Sequence, residues 1–315
     1  MKRVIVATSA IATVAIVGAS YFLAPINTKR NLKLPSNNPS EIVSYLKQKG
    51  YTVSFLDTMF LKLFTKPTKG WVYISKNKLP RYKFLKELGA YKNHYIPVTI
   101  IPGETTYFVL KDLSNKLNLK ESNLQIAYRD LAIYKEGNFI ANTYNIPIYF
   151  KAKDTINLLL KNSYKIHKKL ANKYNLNYKS KDYKNFITIA SIIQKEAANK
   201  KEMPLIASVI YNRLAKNMRL QMDGALNYGK YSHTKVTKQR IKSDLTTYNT
   251  YKHKGIPSEP VCNVSVDALE ASLNPAKTKY LYFMKKDSKS HSFSQKYKEH
   301  IKNIKKRKEE ILQNR

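Results

Sequence analysis

From Val4 to Ala24 the chain runs 21 residues without a charge. At about 1.5 Å per residue such a run makes a helix about 31 Å long, close to the hydrocarbon thickness of a bilayer. No other segment of the 315 residues is as long and apolar, so the rest is expected to fold in water. Two readings of the run are open: an uncleaved anchor, or a signal peptide cut near Val17-Gly18-Ala19. Its length exceeds the roughly 7–15 residues of a usual signal h-region and favours the anchor. No Cys stands near its end, which excludes a lipoprotein anchor. Lys2 and Arg3 precede it and Lys29, Arg30 and Lys33 come after it, so the positive-inside count alone leaves the orientation open.

The body is strongly basic: 57 Lys and Arg against 21 Asp and Glu give a formal charge of +36. A polyanionic neighbour fits this balance, whether nucleic acid, an anionic lipid surface or an acidic wall polymer. An anchored chain makes nucleic acid the poorest of the three. With 43% hydrophobic residues the chain can build a real core, and its single Cys, Cys262, excludes an intrachain disulfide and a Cys-based zinc cluster.

The pattern predicts an α+β body. Asn31 to Pro39 reads as a polar linker, and Ser40 as the cap of an amphipathic helix to Gln48. Phe55 to Phe64 reads as a helix, Trp71 to Ile74 and Ile96 to Ile101 as strands, and Thr105 or Thr106 as the start of a helix to Leu117. Asn138 to Tyr149 is strand-like, and Asp154 is expected to cap a long basic helix towards Lys173. After Phe186 tightly spaced apolar helices take over, which puts a domain boundary near 150. The tail from Lys296 reads as a charged surface helix.

One segment carries a chemical signal. In Phe186 to Glu196, Ile189, Ile192 and Ile193 form a helical stripe, and Glu196 falls on that same face. A carboxylate held against apolar neighbours resists ionisation, which suits a general acid near neutral pH. The competing reading is a glutamate at the rim of the core paired with a nearby Lys. A second helix, Glu202 to Lys216, leads through Asn212-Arg213 into the loop Asn217 to Gly224, which holds Gln221 and Asp223. Tyr248-Asn249-Thr250-Tyr251 then precede the Gly255-Ile256-Pro257 turn. Tyr rings and Asn amides commonly line sugar-binding grooves, since they pair flat apolar faces with hydrogen bonds.

Ala190-Ser191-Ile192-Ile193-Gln194-Lys195-Glu196-Ala197 resembles the glutamate-bearing helix of the endolytic murein transglycosylase (YceG-like) family. Val209 to Leu214, Met218 to Asp223, Tyr248 to Tyr251, Leu273 to Thr278, Tyr280 to Phe283 and His291 to Ser294 resemble that family's later blocks in the same order. Glu136 to Phe139 with Asn142-Thr143-Tyr144 resembles the entry to its catalytic domain, and Ile100 to Gly103 the opening of its LysM-like module. The chain departs from the family pattern at Gln194, at Gly224 after Asp223, at Pro257 to Pro260 and at Asn263-Val264-Ser265.

The resemblance implies a layout: 1–30, a cytoplasmic tip and transmembrane helix; 31–95, linker and small α+β region; 96–150, LysM-like module; 151–300, a mainly helical catalytic domain; 301–315, a charged helix. It implies a lyase in the cell inner membrane, its body on the periplasmic side, acting on peptidoglycan glycan strands with membrane peptidoglycan synthases as candidate partners. Glu196 would be the catalytic acid and base, with Asn212, Arg213, Gln221, Asp223, Asn249 and Tyr251 binding the sugars. Asp223 as a purely structural loop acid stays open. No metal or cofactor is implied. The alternative is a membrane-anchored wall-binding protein without catalysis.

Overall fold

The computed structural model describes residues 16–89, 95–287 and 289–313. Most of the apolar run, residues 4–15, lies outside the described residues, and no helix among those described is long and apolar enough to cross a membrane. The chain forms two compact units. One comprises the chain up to Tyr95 with Pro147–Tyr149, and the other Ile96–Ile146 with the chain from Phe150 onward.

In the first unit four short strands, β1 (Pro25–Asn27), β2 (Asn31–Leu34), β3 (Gly70–Tyr73) and β4 (Lys78–Pro80), form two antiparallel pairs, β1 with β4 and β2 with β3. Alternation buries Leu32 and Leu34 and leaves Asn31 and Lys33 in solvent. The expected linker at 31–39 is therefore part strand, and β1 lies inside the stretch 1–30 expected to form the anchor. Helices Pro39–Gln48, Phe55–Phe64 and Arg81–Gly89 close the core with Ile42, Leu46, Leu61, Phe84, Leu85 and Leu88. The first of these is capped by Asn38, whose side chain accepts from the Ser40 N–H at 2.9 Å, so Ser40 lies inside the helix it was expected to cap.

The second unit opens on β5 (Tyr95–Thr99), helices Thr106–Leu117 and Glu121–Leu131, and β6 (Thr143–Pro147), which pairs with β5. The strand at 138–149 is shorter than expected because residues 138–142 bond elsewhere: Ile140 bridges Val264 in parallel, and the Ala141 N–H donates to the Val264 carbonyl. Helix Ala152–Lys173 comes next, with Asp154 in its first turn and Lys151 in the capping position. Its first half gives Ile156, Leu159 and Leu160 to the core of the preceding module. Its second half gives Leu170 and Ala171 to a second core, built by the helices after it. A boundary near 150 thus falls at the edge of an element that both cores share.

Helix Lys181–Glu196 is the centre of that second core. Ile187 through Ile193 are all buried, leaving no solvent-facing side in the middle of the helix. Helices Met203–Ala215 and Val266–Leu273 pack on it. The hairpin β7 (Tyr282–Lys285) and β8 (His291–Ser294) ends the core, and helix Tyr297–Gln313 buries no residue.

Two buried polar residues hold the first helix of this unit in place. Glu136 accepts from the Thr106 N–H at 3.0 Å, the Thr106 hydroxyl at 2.5 Å and the Gly137 N–H at 3.0 Å. It so caps a helix thirty residues earlier, whose own N-cap, Thr105, makes no side-chain cap bond. Asn263 accepts from the Phe139 N–H and donates to the Glu104 carbonyl and the Thr106 hydroxyl. Gly137, between these residues, adopts φ +77°, and an added Cβ would stand 2.8 Å from Ile187 Cγ2 and from Pro260 Cβ. Gly137→Ala therefore combines a disfavoured backbone with overpacking, each costing about 1–3 kcal/mol. We expect the variant to melt at least about 4 °C lower in a calorimetric scan; an unchanged transition would show that this turn relaxes freely.

Candidate active site

Glu196 is the last residue of the buried helix, with Ala197 as C-cap. The three isoleucines before it fix the helix in the core, so its end is set by packing. The chain leaves the helix there, and the Glu196 side chain meets the turn Asp223–Leu226. Its Oε1 accepts from the Gly224 N–H at 2.7 Å. The approach is close enough that a Cβ on residue 224 would lie 2.6 Å from Lys195 Cβ and 2.9 Å from Glu196 Oε1. Glycine is required there by space. The sequence showed Gly224 only as a departure from a motif, because the group that matters is its backbone N–H.

Glu196 stays partly accessible, while its surroundings are dense enough that desolvation raises its carboxyl to about 7. The Gly224 hydrogen bond works against this rise and the negative charge of Asp223 adds to it. No Lys, Arg or His among the described residues forms an ion pair with Glu196. Lys195, the neighbour that could have paired with it, donates to the Ser232 hydroxyl at 2.9 Å. The rim-glutamate reading required such a partner.

The other predicted positions divide into two groups. Asp223 is exposed, and its Oδ1 accepts from the Tyr251 hydroxyl at 2.6 Å, so both side chains face the Glu196 turn. Gln221, two residues before Asp223, is also exposed, in a left-handed backbone with φ 51°. Asn212, Arg213 and Asn249 are held in the scaffold. Asn212 donates to the carbonyls of Thr278 and Tyr280, each at 2.9 Å. Arg213 donates to those of Leu281 and Leu220, each at 2.6 Å. Asn249 is fully buried, donating to the Ile241 and Asp244 carbonyls and accepting from the Tyr251 N–H. Their amide and guanidinium groups stitch loops together behind the site. Residue type alone could not separate this role from sugar binding.

Sequence reasoning also missed the loop that flanks Glu196. Asn227 donates to the carbonyls of Tyr231, Ser232 and Thr234 and folds residues 227–234 into a tight arch. The Gly229 carbonyl accepts from the Thr105 hydroxyl at 2.9 Å, and His233 Nε2 meets Glu104 Oε2 at 2.9 Å. Tyr228 stacks on Tyr248 with centroids 4.1 Å apart, and its hydroxyl donates to Asp244. The arch therefore ties the Glu196 side of the unit to the residues just before helix Thr106–Leu117. No cluster of His, Cys, Asp and Glu among the described residues could hold a metal ion.

A family model described as the YceG-like family matches residues 34–306. The chain belongs to this family. Among curated family relatives, the endolytic murein transglycosylase of Bacillus subtilis is 40% identical over 141 residues, 42% of this chain and 39% of that protein. The protein of the same name from Streptococcus pneumoniae strain D39 is 35% identical over 156 residues, 47% of this chain and 28% of that protein. The match thus spans well under half the length of either relative. A crystal structure of a yceG-like protein from Listeria monocytogenes superposes with a TM-score of 0.57 over 87% of this chain and 99% of that one, at 24% identity, and shows a shared fold.

The Glu196 environment has a pH signature. Its folded carboxyl lies near 7, above the ordinary value of 4.5 that the unfolded chain has. Between these values the unfolded chain releases a proton that the folded chain keeps, so stability is full below about 4.5 and is lost as pH rises through about 7. Glu196→Gln keeps the acceptor for Gly224 and has no proton to lose. We expect the variant to match the parent's melting temperature at pH 4 and exceed it by a few degrees at pH 8, about 1–3 kcal/mol. A difference independent of pH would mean that Glu196 ionises as in water.

Proposed function

We propose that this chain is an endolytic peptidoglycan lytic transglycosylase, anchored in the cell inner membrane by the run Val4–Ala24 with its body on the periplasmic side. The observation that carries the reading is Glu196: a partly accessible carboxyl near 7, held by one backbone N–H and, among the described residues, by no cation. The relatives' name, endolytic murein transglycosylase, supplies the substrate class, murein; on this reading the bond cut is the MurNAc-GlcNAc β-1,4 bond of its glycan strands.

A single carboxyl of this kind serves both halves of a non-hydrolytic cleavage. In its acid form Glu196 donates a proton to the glycosidic oxygen as the C1–O bond breaks, and the GlcNAc-side alcohol leaves. The carboxylate so formed takes the proton of the MurNAc C6 hydroxyl, whose oxygen closes onto C1 as a 1,6-anhydro ring. The proton lost in the first step is regained in the second, and no water is consumed. The substrate's own hydroxyl replaces the second carboxylate that hydrolytic glycosidases use. Asp223 acts on Glu196 through its charge, and its Oδ1 is engaged by Tyr251. With Gln221 and Tyr251 it offers hydrogen bonds to sugar hydroxyls at the open side of the Gly224 turn. Peptidoglycan synthases in the same membrane would supply nascent strands.

Two outcomes are expected with purified peptidoglycan. Glu196→Gln loses at least about 10²–10⁴ in rate while keeping its fold, since the amide can neither donate nor take the proton. Products made in ¹⁸O-labelled water end in 1,6-anhydroMurNAc with no heavy oxygen by mass analysis. Labelled reducing ends would mean a hydrolase with Asp223 as the second carboxylate. Absence of any cleavage by the parent chain would favour a wall-binding protein without catalysis.

A further inference from the structure

Helix Phe55–Phe64 of the first unit is built inside out. Its buried positions are Asp57, Thr58 and Leu61. Apart from Lys62 its exposed positions are apolar: Phe55 is 72% exposed, Leu63 67% and Phe64 66%, with Leu56 and Met59 exposed beside them. Positions 55, 59 and 63 repeat every four residues, and 56 and 63 lie seven apart, so these side chains make one continuous face. Isolated exposed apolar residues are ordinary, but five on ten residues, with Asp57 and Thr58 turned inward, are not.

The inward side explains why the helix is fixed in this orientation. Asp57 is fully buried and pairs with Arg81 at 3.1 Å. It also accepts from the Ser54 N–H at 2.7 Å and the Tyr21 hydroxyl at 2.6 Å. Arg81 lies over the Tyr21 ring at 4.2 Å from its centroid and donates to the Thr52 carbonyl. Rotating the helix to bury its phenylalanines would strip a buried carboxylate and a buried guanidinium of their partners, at a cost of about 3–5 kcal/mol. The apolar face is held outward by this network.

The same network joins the face to the apolar N-terminal run. Tyr21 and Phe22 belong to the end of the helix at 16–23, and Phe22 packs on Phe60 with centroids 5.2 Å apart. Ile16, Val17 and Leu23 of that helix are themselves exposed. The apolar surface thus continues from the last residues of the Val4–Ala24 run onto the Phe55–Phe64 helix. At the far end Lys62, Lys66 and Lys86 surround Leu63 and Phe64 in one shallow depression. Apolar side chains ringed by lysines suit an anionic lipid surface, with the rings among the upper acyl chains and the ammonium groups at the phosphates.

We propose that the exposed face of helix Phe55–Phe64 lies in the interfacial layer of the membrane and docks the first unit flat against an anionic bilayer. This rests on the membrane-anchored reading and adds a second, independent point of lipid contact. Trp71 is the chain's one tryptophan, so Trp71→Phe gives a background in which Phe64→Trp is a single reporter. The full chain would be reconstituted into phosphatidylglycerol-containing vesicles, and its flotation and its quenching by lipids brominated near the headgroup measured. The chain is expected to float, and the Trp at 64 to lose at least about half its emission to these lipids. Phe55→Trp, at the other end of the face, should behave alike, and far-ultraviolet dichroism should be that of the parent. A chain that floats while both reporters stay unquenched overturns the docking proposal and leaves the anchor standing; the face would then await a protein partner. A chain that does not float overturns both.

Discussion

The hydrogen bond from the Gly224 N–H to Glu196 Oε1 is the contact on which the rest of the site depends. A carboxyl lifted to about 7 by desolvation is useful only if it points in one direction. A buried acid commonly gains direction from a cation, and a cation would undo the lift. A backbone N–H restrains one oxygen with much less charge, and leaves the other for the proton transfers proposed for it. For that N–H to come within 2.7 Å, residue 224 must have no side chain, and the turn carrying it must be held from behind. Arg213 and Thr250 do the holding: Arg213 donates to the Leu220 carbonyl, and the Thr250 hydroxyl accepts from the Met222 N–H.

This arrangement distributes polar residues in an instructive way. The groups with the strongest hydrogen-bonding capacity near the site are spent on backbone carbonyls, and the groups facing the open side are few and simple: a carboxyl, a second carboxyl with its tyrosine, and a glutamine. Burial of an Arg and two Asn is tolerable because their donors meet carbonyls that loops would otherwise leave unsatisfied. The scaffold around Glu196 is therefore rigid by hydrogen bonding where it is not rigid by helix packing.

Much of this was legible in the residues. Apolar spacing placed helix Phe55–Phe64 and the helix ending at Glu196, and set Glu196 apart from a solvated glutamate. Strands β1 and β2 were not legible, being three and four residues long and stabilised by partners some forty to fifty residues away. Asn212 and Asn249 looked like sugar ligands because an amide that binds a hydroxyl and one that binds a carbonyl are the same amide; only the fold decides which it meets. Gly224 and Glu136 were underrated for a related reason. One acts through its backbone, and the other caps a helix thirty residues earlier. The inverted helix face could not be read at all, since its orientation is fixed by Asp57 and Arg81, which come together only in three dimensions.

The helix Ala152–Lys173 contributes to two hydrophobic clusters, one at each end. A helix that is a wall of both rooms makes neither a separable building. Cutting the chain near 150 would leave residues 96–150 without Ile156, Leu159 and Leu160, and would return apolar surface to water on both sides of the cut. Opening of one cluster would loosen the other through the shared rod, so the second unit is expected to unfold as one cooperative block. The Glu196 turn thus draws its steadiness from contacts throughout that block, and loops at its rim can vary without the site losing its footing.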